Sequence, residues 1–150
     1  MDTLEIEQVL SYDAHVKPQW GGVFANNHLP LDVNYPSALV VNTDPCTEPG
    51  EHWVAIYFTP DVQGEYFDSY GLPPTSKVKR FLGKKAWHVI YNGVQLQGLV
   101  SSTCGHYCLF YLLHRCRNYS MADIVNMFGS DTAQNDAHVR DCIEDYLYYP

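Results

Sequence analysis

Apolar residues fall in short blocks along most of this chain and in one longer block, Tyr107 to Leu113, that carries no charge. The first block lies in an acidic amphipathic stretch, Thr3 to Tyr12, where Leu4, Val9 and Leu10 are apolar; a short helix is predicted there. From Pro18 to Pro36, glycine, proline and asparagine recur (Gly21-Gly22, Asn26-Asn27, Leu29-Pro30), so an irregular but ordered loop is expected. Ala38-Leu39-Val40-Val41-Asn42 predicts a first buried strand, stopped by Asp44-Pro45. A turn-rich connection through Pro49-Gly50 leads into a second strand, His52 to Phe58, ended by Thr59-Pro60. Glu65 to Asp68 predicts a third, returning across the Pro60-to-Gly64 turn as a hairpin. Pro73 to Leu82 suits a helix carrying Lys77, Lys79 and Arg80. Trp87 to Tyr91 reads as a fourth strand closed by Asn92-Gly93, with Val94-Gln95-Leu96 a candidate fifth.

The long block predicts a helix running from Cys104 to Cys116. Ser102 or Thr103 can cap its start, which places Cys104 in the first turn. Apolar nearly all round, this helix must be buried on most sides. Ser120-Met121-Ala122-Asp123 has the form of a capping box and opens a helix with Met121, Ile124, Val125 and Phe128 on one face. Thr132 to Leu147 predicts a last helix with Val139, Cys142, Ile143 and Tyr146 inward. Strands cluster in the middle and helices at the ends, an α+β pattern rather than a βαβ alternation. The cysteine helix is expected to pack across the sheet with Cys104 near the strand edges.

Composition narrows the class. The 150 residues, 46% hydrophobic, suffice for one globular domain with a sizeable core, so a single domain over 1–150 is expected. A net charge of -8 argues against general binding to nucleic acid or anionic membrane. There is no run of 18 apolar residues, and Met1-Asp2-Thr3-Leu4-Glu5 lacks the basic start of a signal peptide. Five cysteines without framework spacing imply free thiols in a reducing compartment. The one basic cluster (Lys77, Lys79, Arg80, Lys84, Lys85) reads as a solvated helix face.

Cys104 is the candidate for chemistry. A thiol at the start of a buried helix meets the positive end of the macrodipole and unpaired backbone N–H groups, both of which favour thiolate. A nucleophilic thiol also needs a base, and the base an orienting acceptor. His52 begins one strand of the hairpin and Asp68 ends the other, so the two can sit side by side at one sheet edge. Gln97 precedes Cys104 by a short loop, and its amide can complete an oxyanion hole with the Cys104 backbone N–H; Gln95 competes for that role. A zinc module of Cys104, His106, Cys108, His114 and Cys116 is disfavoured. Cys116 lies about 18 Å along the helix from Cys104, and no C-x-x-C pair closes a tetrahedral site, so no metal or other cofactor is expected.

Four blocks now stand in order: Glu51-His52-Trp53, Tyr66-Phe67-Asp68-Ser69-Tyr70-Gly71, Gln97-Gly98 and Ser102-Thr103-Cys104-Gly105. Together they resemble the active-site blocks of the adenovirus protease (adenain) family, itself related to the Ulp1-type SUMO proteases. The wider pattern, with Gly22-Val23-Phe24-Ala25, Leu29-Pro30, Val41-Asn42-Thr43-Asp44 and Cys104 to Cys108, is similar to adenain-like proteases of Polinton/Maverick elements and related viruses. The resemblance covers roughly Gly22 to Asp136. It implies a papain-like, adenain-like cysteine protease fold: a mixed central sheet packed against the buried helix that Cys104 opens, with flanking helices. Cys104 is then nucleophile, His52 general base and later acid, Asp68 the orienter of His52, and Gln97 the oxyanion donor. Trp53 would wall a narrow substrate slot favouring glycine before the cut, with Gly105 beside it. Asp in the third role is nearer to Ulp1 relatives than to the adenovirus enzymes, which carry Glu. The implied activity is cleavage of virus-like capsid or core precursors at Gly-rich sites; a ubiquitin- or SUMO-like deconjugase of the same clan is the alternative. A protease-shaped but inactive interaction protein is disfavoured by the intact set of four residues. The implied partners are a polypeptide substrate and, from the family, an activating peptide or nucleic acid. A monomer with no membrane contact, in the cytoplasm or nucleus of a host or in a virion, is expected.

Overall fold

The computed structural model describes residues 1–43 and 52–148. The predicted strand stop at Asp44-Pro45, the connection through Pro49-Gly50, Glu51 and Cys46 therefore lie outside the described residues.

Eleven elements follow one another in these residues: α1 (Thr3–Tyr12), a short 3-10 turn (Lys17–Gln19), β1 (Trp20–Ala25), β2 (Ser37–Asn42), β3 (Trp53–Phe58), β4 (Gln63–Phe67), α2 (Ser76–Lys85), β5 (His88–Tyr91), α3 (Cys104–Arg115), α4 (Met121–Val125) and α5 (Thr132–Tyr148). The strands form one mixed sheet in the order β1-β2-β3-β4-β5. The three inner strands pair antiparallel, while β1 on β2 and β5 on β4 pair parallel. This is the expected α+β class.

Strand β3 is buried along its whole length because both of its faces are covered. Successive side chains of a strand alternate between faces. Trp53, Ala55 and Tyr57 join the core under α1, α3, α4 and α5, whereas Val54, Ile56 and Phe58 join a second core under α2. The unbroken apolar run in the sequence is thus a strand between two layers of helices. Helix α3 packs against β3 and is buried on most sides, as its composition requires.

Five local expectations are corrected. Leu4 is 77% exposed; Ile6, Val9 and Leu10, spaced i, i+3, i+4, form the buried stripe of α1. The helix starts where it does because Asp2 and Glu5 make a capping box. The stretch from Pro18 to Pro36 contains the edge strand β1. Gly22, at φ +124°, marks a register shift against β2, a conformation costly for other residues, and Gly21 lets β1 approach Leu39 and Ser37 closely. Val94-Gln95-Leu96 forms no strand: the N–H groups of Leu96 and Gln97 both turn to the Ser69 carbonyl, which draws the chain off the sheet edge. Finally, Thr103 occupies the N-cap of α3 without capping it by its side chain. The capping box at Ser120 and Asp123 is formed, with Met121 and Ile124 buried beneath it. Helix α5 buries Val139 and Ile143 but leaves Tyr146 37% exposed.

Candidate active site

The β3–β4 hairpin and the start of α3 meet at one end of the sheet. Ala55 pairs with Phe67, so the residues just beyond, His52 and Asp68, leave the sheet side by side. The His52 Nε2–H donates to Asp68 Oδ1 at 2.8 Å. The same oxygen accepts the Tyr70 N–H at 2.8 Å. Asn92 brackets the Asp68 backbone: its Oδ1 accepts the Asp68 N–H (3.0 Å) and its Nδ2 donates to the Asp68 carbonyl (2.8 Å). The Tyr70 ring lies 4.9 Å from the imidazole. Nε2 being committed to Asp68, Nδ1 is the nitrogen left to serve the Cys104 thiol, with which the imidazole is electrostatically coupled.

The thiol sits where α3 meets β3. The Trp53 N–H points at Cys104 Sγ, 3.5 Å away, and the Gly105 N–H adds a second donor. Because Thr103 gives no side-chain cap, the first-turn N–H groups of α3 keep their capacity for an anion. Burial alone would raise the Cys104 pKa; the His52 hydrogen bond, the Trp53 N–H, the imidazolium charge and the Gly105 N–H outweigh it and hold the thiol below its usual value. Burial pulls His52 down, but the Asp68 and Cys104 hydrogen bonds and charges lift it to about 9. Both shifts favour the thiolate–imidazolium pair. Cys108 and Cys142 are pushed up by burial and by nearby negative charges, and Cys116 by burial to about 12. Among the described cysteines, all free, Cys104 alone is shifted toward thiolate.

Gln97 is fully buried. Its Oε1 accepts the Ser69 hydroxyl (2.6 Å) and its Nε2 donates to the Ser101 carbonyl (2.9 Å), which leaves one N–H of the amide uncommitted by these bonds. Gln95 instead donates to the Gln97 carbonyl and is exposed. Trp53 is 9% exposed; its indole N–H donates to the Met1 carbonyl at 3.3 Å. The Met1 side chain also covers Gly105, where a Cβ would come within 2.9 Å of Sδ. Both residues assigned to the slot therefore lie against Met1.

Sequence reasoning passed over Ser69, Asn92 and Asp136. Asn92 reads as a turn residue before Gly93. Asp136 belongs to no motif, although its spacing from Val139 and Ile143 (i, i+3, i+7) puts it on the buried face of α5. No group of three or more His, Cys, Asp or Glu suited to a metal occurs among the described residues. No described helix is long and apolar enough to cross a membrane.

The α+β frame that carries these residues is shared with solved structures of cysteine proteases. The crystal structure of the African swine fever virus protease superposes with a TM-score of 0.68 at 19% identity, covering 92% of this chain and 65% of that one. ChlaDub1 of Chlamydia trachomatis gives 0.63 at 14%, covering 100% and 93%. The SUMO protease Ulp1 gives 0.50 at 13%, covering 98% and 78%. These likenesses show the fold. In sequence, the chain is 33% identical over 101 residues to a cysteine protease of African swine fever virus. Proteins of other isolates of that virus, with the same identity, are named SUMO-1 cysteine proteases. Each match covers 58% of this chain and 36% of the relative, so it spans about a third of the relatives' length. No protein-family model matches. The chain is thus similar in sequence to viral cysteine proteases and in fold to the SUMO protease Ulp1.

Proposed function

We propose that this chain is a cysteine peptidase that cleaves after the C-terminal glycine of a ubiquitin-like protein, by a Cys104–His52–Asp68 triad with Gln97 in the oxyanion hole. The observation that carries the reading is the His52–Asp68 pair (2.8 Å) at the sheet end where the N–H of Trp53, the next residue, meets Cys104 Sγ (3.5 Å). The Cys104 thiolate attacks the glycyl carbonyl, and the oxyanion draws on the Cys104 backbone N–H and the Gln97 amide. The His52 imidazolium gives its proton to the leaving amine. His52 then takes a proton from the water that hydrolyses the thioester. Asp68 holds the ring and stabilises its charged form. Trp53 and Gly105 flank the acyl side, so substrate entry displaces Met1 from between them. The SUMO-protease names of the relatives support the deconjugase over the precursor-processing reading.

Processing of virus-like precursors, in the adenain manner of Polinton-like elements, is the second reading; the viral source of the curated relatives favours it. A SUMO-1–reporter fusion and a Gly-rich peptide lacking the folded domain separate the two. The wild type is expected to release the reporter far faster than it cuts the peptide, and Cys104→Ala to do neither. Equal rates on both would overturn the deconjugase reading. Full activity in Cys104→Ala would overturn the nucleophile.

A further inference from the structure

Helix α5 carries two adjacent buried polar residues, Asn135 and Asp136, and both hold the segment that links Gln97 to Cys104. Asn135 Nδ2 donates to the Leu96 carbonyl at 3.1 Å and to the Gly129 carbonyl at 2.9 Å. The Asp136 carboxylate accepts three donors: the Gly98 N–H at Oδ2 (3.2 Å), the Thr103 hydroxyl at Oδ1 (3.2 Å) and the Tyr107 hydroxyl at Oδ1 (2.8 Å). Gly98 directly follows Gln97 and Thr103 directly precedes Cys104. The carboxylate can reach the backbone at Gly98 because that residue has no side chain; a Cβ there would lie 3.0 Å from Asp136 Oδ2.

A buried carboxylate without an ion pair is costly unless its oxygens are fully hydrogen-bonded. Among the described residues no Lys or Arg pairs with Asp136. The three donors must stay in place together, so the carboxylate acts as a stiff clamp on both ends of the loop. The Thr103 side chain, turned to Asp136, is the one that would otherwise cap α3. We propose that Asp136 is a positioning residue for oxyanion stabilisation, fixing the separation between the Gln97 amide and the Cys104 backbone N–H. The proposal rests on the cysteine-peptidase reading and adds the residue that sets the geometry of its oxyanion hole.

Two reactions of Cys104 separate this role from general support of the fold. Iodoacetamide alkylates the thiolate by direct displacement: an S–C bond forms, iodide leaves and no oxyanion arises. p-Nitrophenyl acetate acetylates the same sulfur through a tetrahedral oxyanion: an S–C bond forms, the C–O bond breaks and p-nitrophenolate leaves. Both rates are measured on the wild type, Asp136→Asn and Asp136→Ala, with Cys104→Ala as blank and a thermal melt for each. Alkylation is expected to stay within about twofold, while acetylation falls about tenfold or more in Asp136→Ala, the scale of a displaced catalytic group. Asp136→Asn should lose less, because one oxygen still accepts from Gly98 while the Thr103 and Tyr107 hydroxyls rotate to accept from the new amide. Parallel losses in both reactions, or unchanged acetylation, would overturn the proposal. If Asp136→Ala does not fold, Asp136→Asn and Thr103→Val carry the same comparison. Neither reagent is a peptide, so a wild type that cuts neither the SUMO-1 fusion nor the Gly-rich peptide would sink the peptidase reading and leave this comparison able to decide.

Discussion

At the scale of single residues, protonation governs the site. Cys104 is held below the usual thiol range, so its reactivity is lost only when pH falls through that lowered value. His52, lifted to about 9, keeps its proton until pH rises past that point. Between the two limits the thiolate and imidazolium coexist. Iodoacetamide alkylation of Cys104, followed by mass spectrometry across a pH series, is expected to show a midpoint below the roughly 8.5 of a free thiol. His52→Ala should move that midpoint upward, and peptide hydrolysis should decline above about pH 9, where the leaving amine loses its proton donor. A wild-type midpoint near 8.5, unmoved by His52→Ala, would falsify the pairing. The adjacency of His52 and Asp68 was legible in the sequence because a tight hairpin leaves few ways to register two strands. Ser69, Asn92 and Asp136 were not: each acts through hydrogen bonds to segments more than twenty residues away, and nothing local announces such a partner. The Thr103 cap misled for the same reason, its hydroxyl being drawn to Asp136 on a distant helix.

Among the elements, α3 is held at both ends. Its last turn brings Arg115 onto Glu65 of β4 through three contacts of 2.9 to 3.1 Å, with the Tyr111 hydroxyl donating to the same carboxylate at 2.6 Å. The guanidinium also lies over the Tyr57 ring, 4.6 Å from its centroid. Glu65 is nearly buried, so removing its partner leaves a charge with little water to replace it. Arg115→Met is expected to lower stability by about 3–5 kcal/mol in chemical denaturation, whereas the double change Glu65→Leu with Arg115→Met should cost far less. A single-variant loss under about 1 kcal/mol would mean that the pair is solvated. Elements with strong internal periodicity were readable: α1, β3, α3 and α5 fall within a few residues of expectation. Strand β1 was not, because two glycines in six residues look like a loop, and only pairing with β2 makes Trp20 to Ala25 a strand. Val94 to Leu96 erred in the other direction: its apolar pattern suits a strand, but Ser69 and Asn92 take its backbone groups.

For the molecule as a whole, the sheet separates the site from a second core. Phe58 lies at the far end of β3 from His52, about 20 Å along the chain direction, packed edge-on against Tyr35 and Phe81. Phe58→Ala should cost about 3–5 kcal/mol and lower the melting temperature, yet leave turnover per folded molecule and the Cys104 alkylation midpoint unchanged. A shift in that midpoint would show that the two faces are coupled through the sheet. The order of assembly follows from the hairpin. His52 meets Asp68 across 16 residues, whereas Cys104 reaches Trp53 across 51. Short loops close first, hairpins within about 1–10 μs, and distant contacts form later. The imidazole–carboxylate pair can therefore stand ready before α3 docks, and until then Cys104 is an ordinary thiol. A chain still folding, or still emerging from the ribosome, carries no activated nucleophile with which to attack itself or its neighbours. The protein arms its cysteine last.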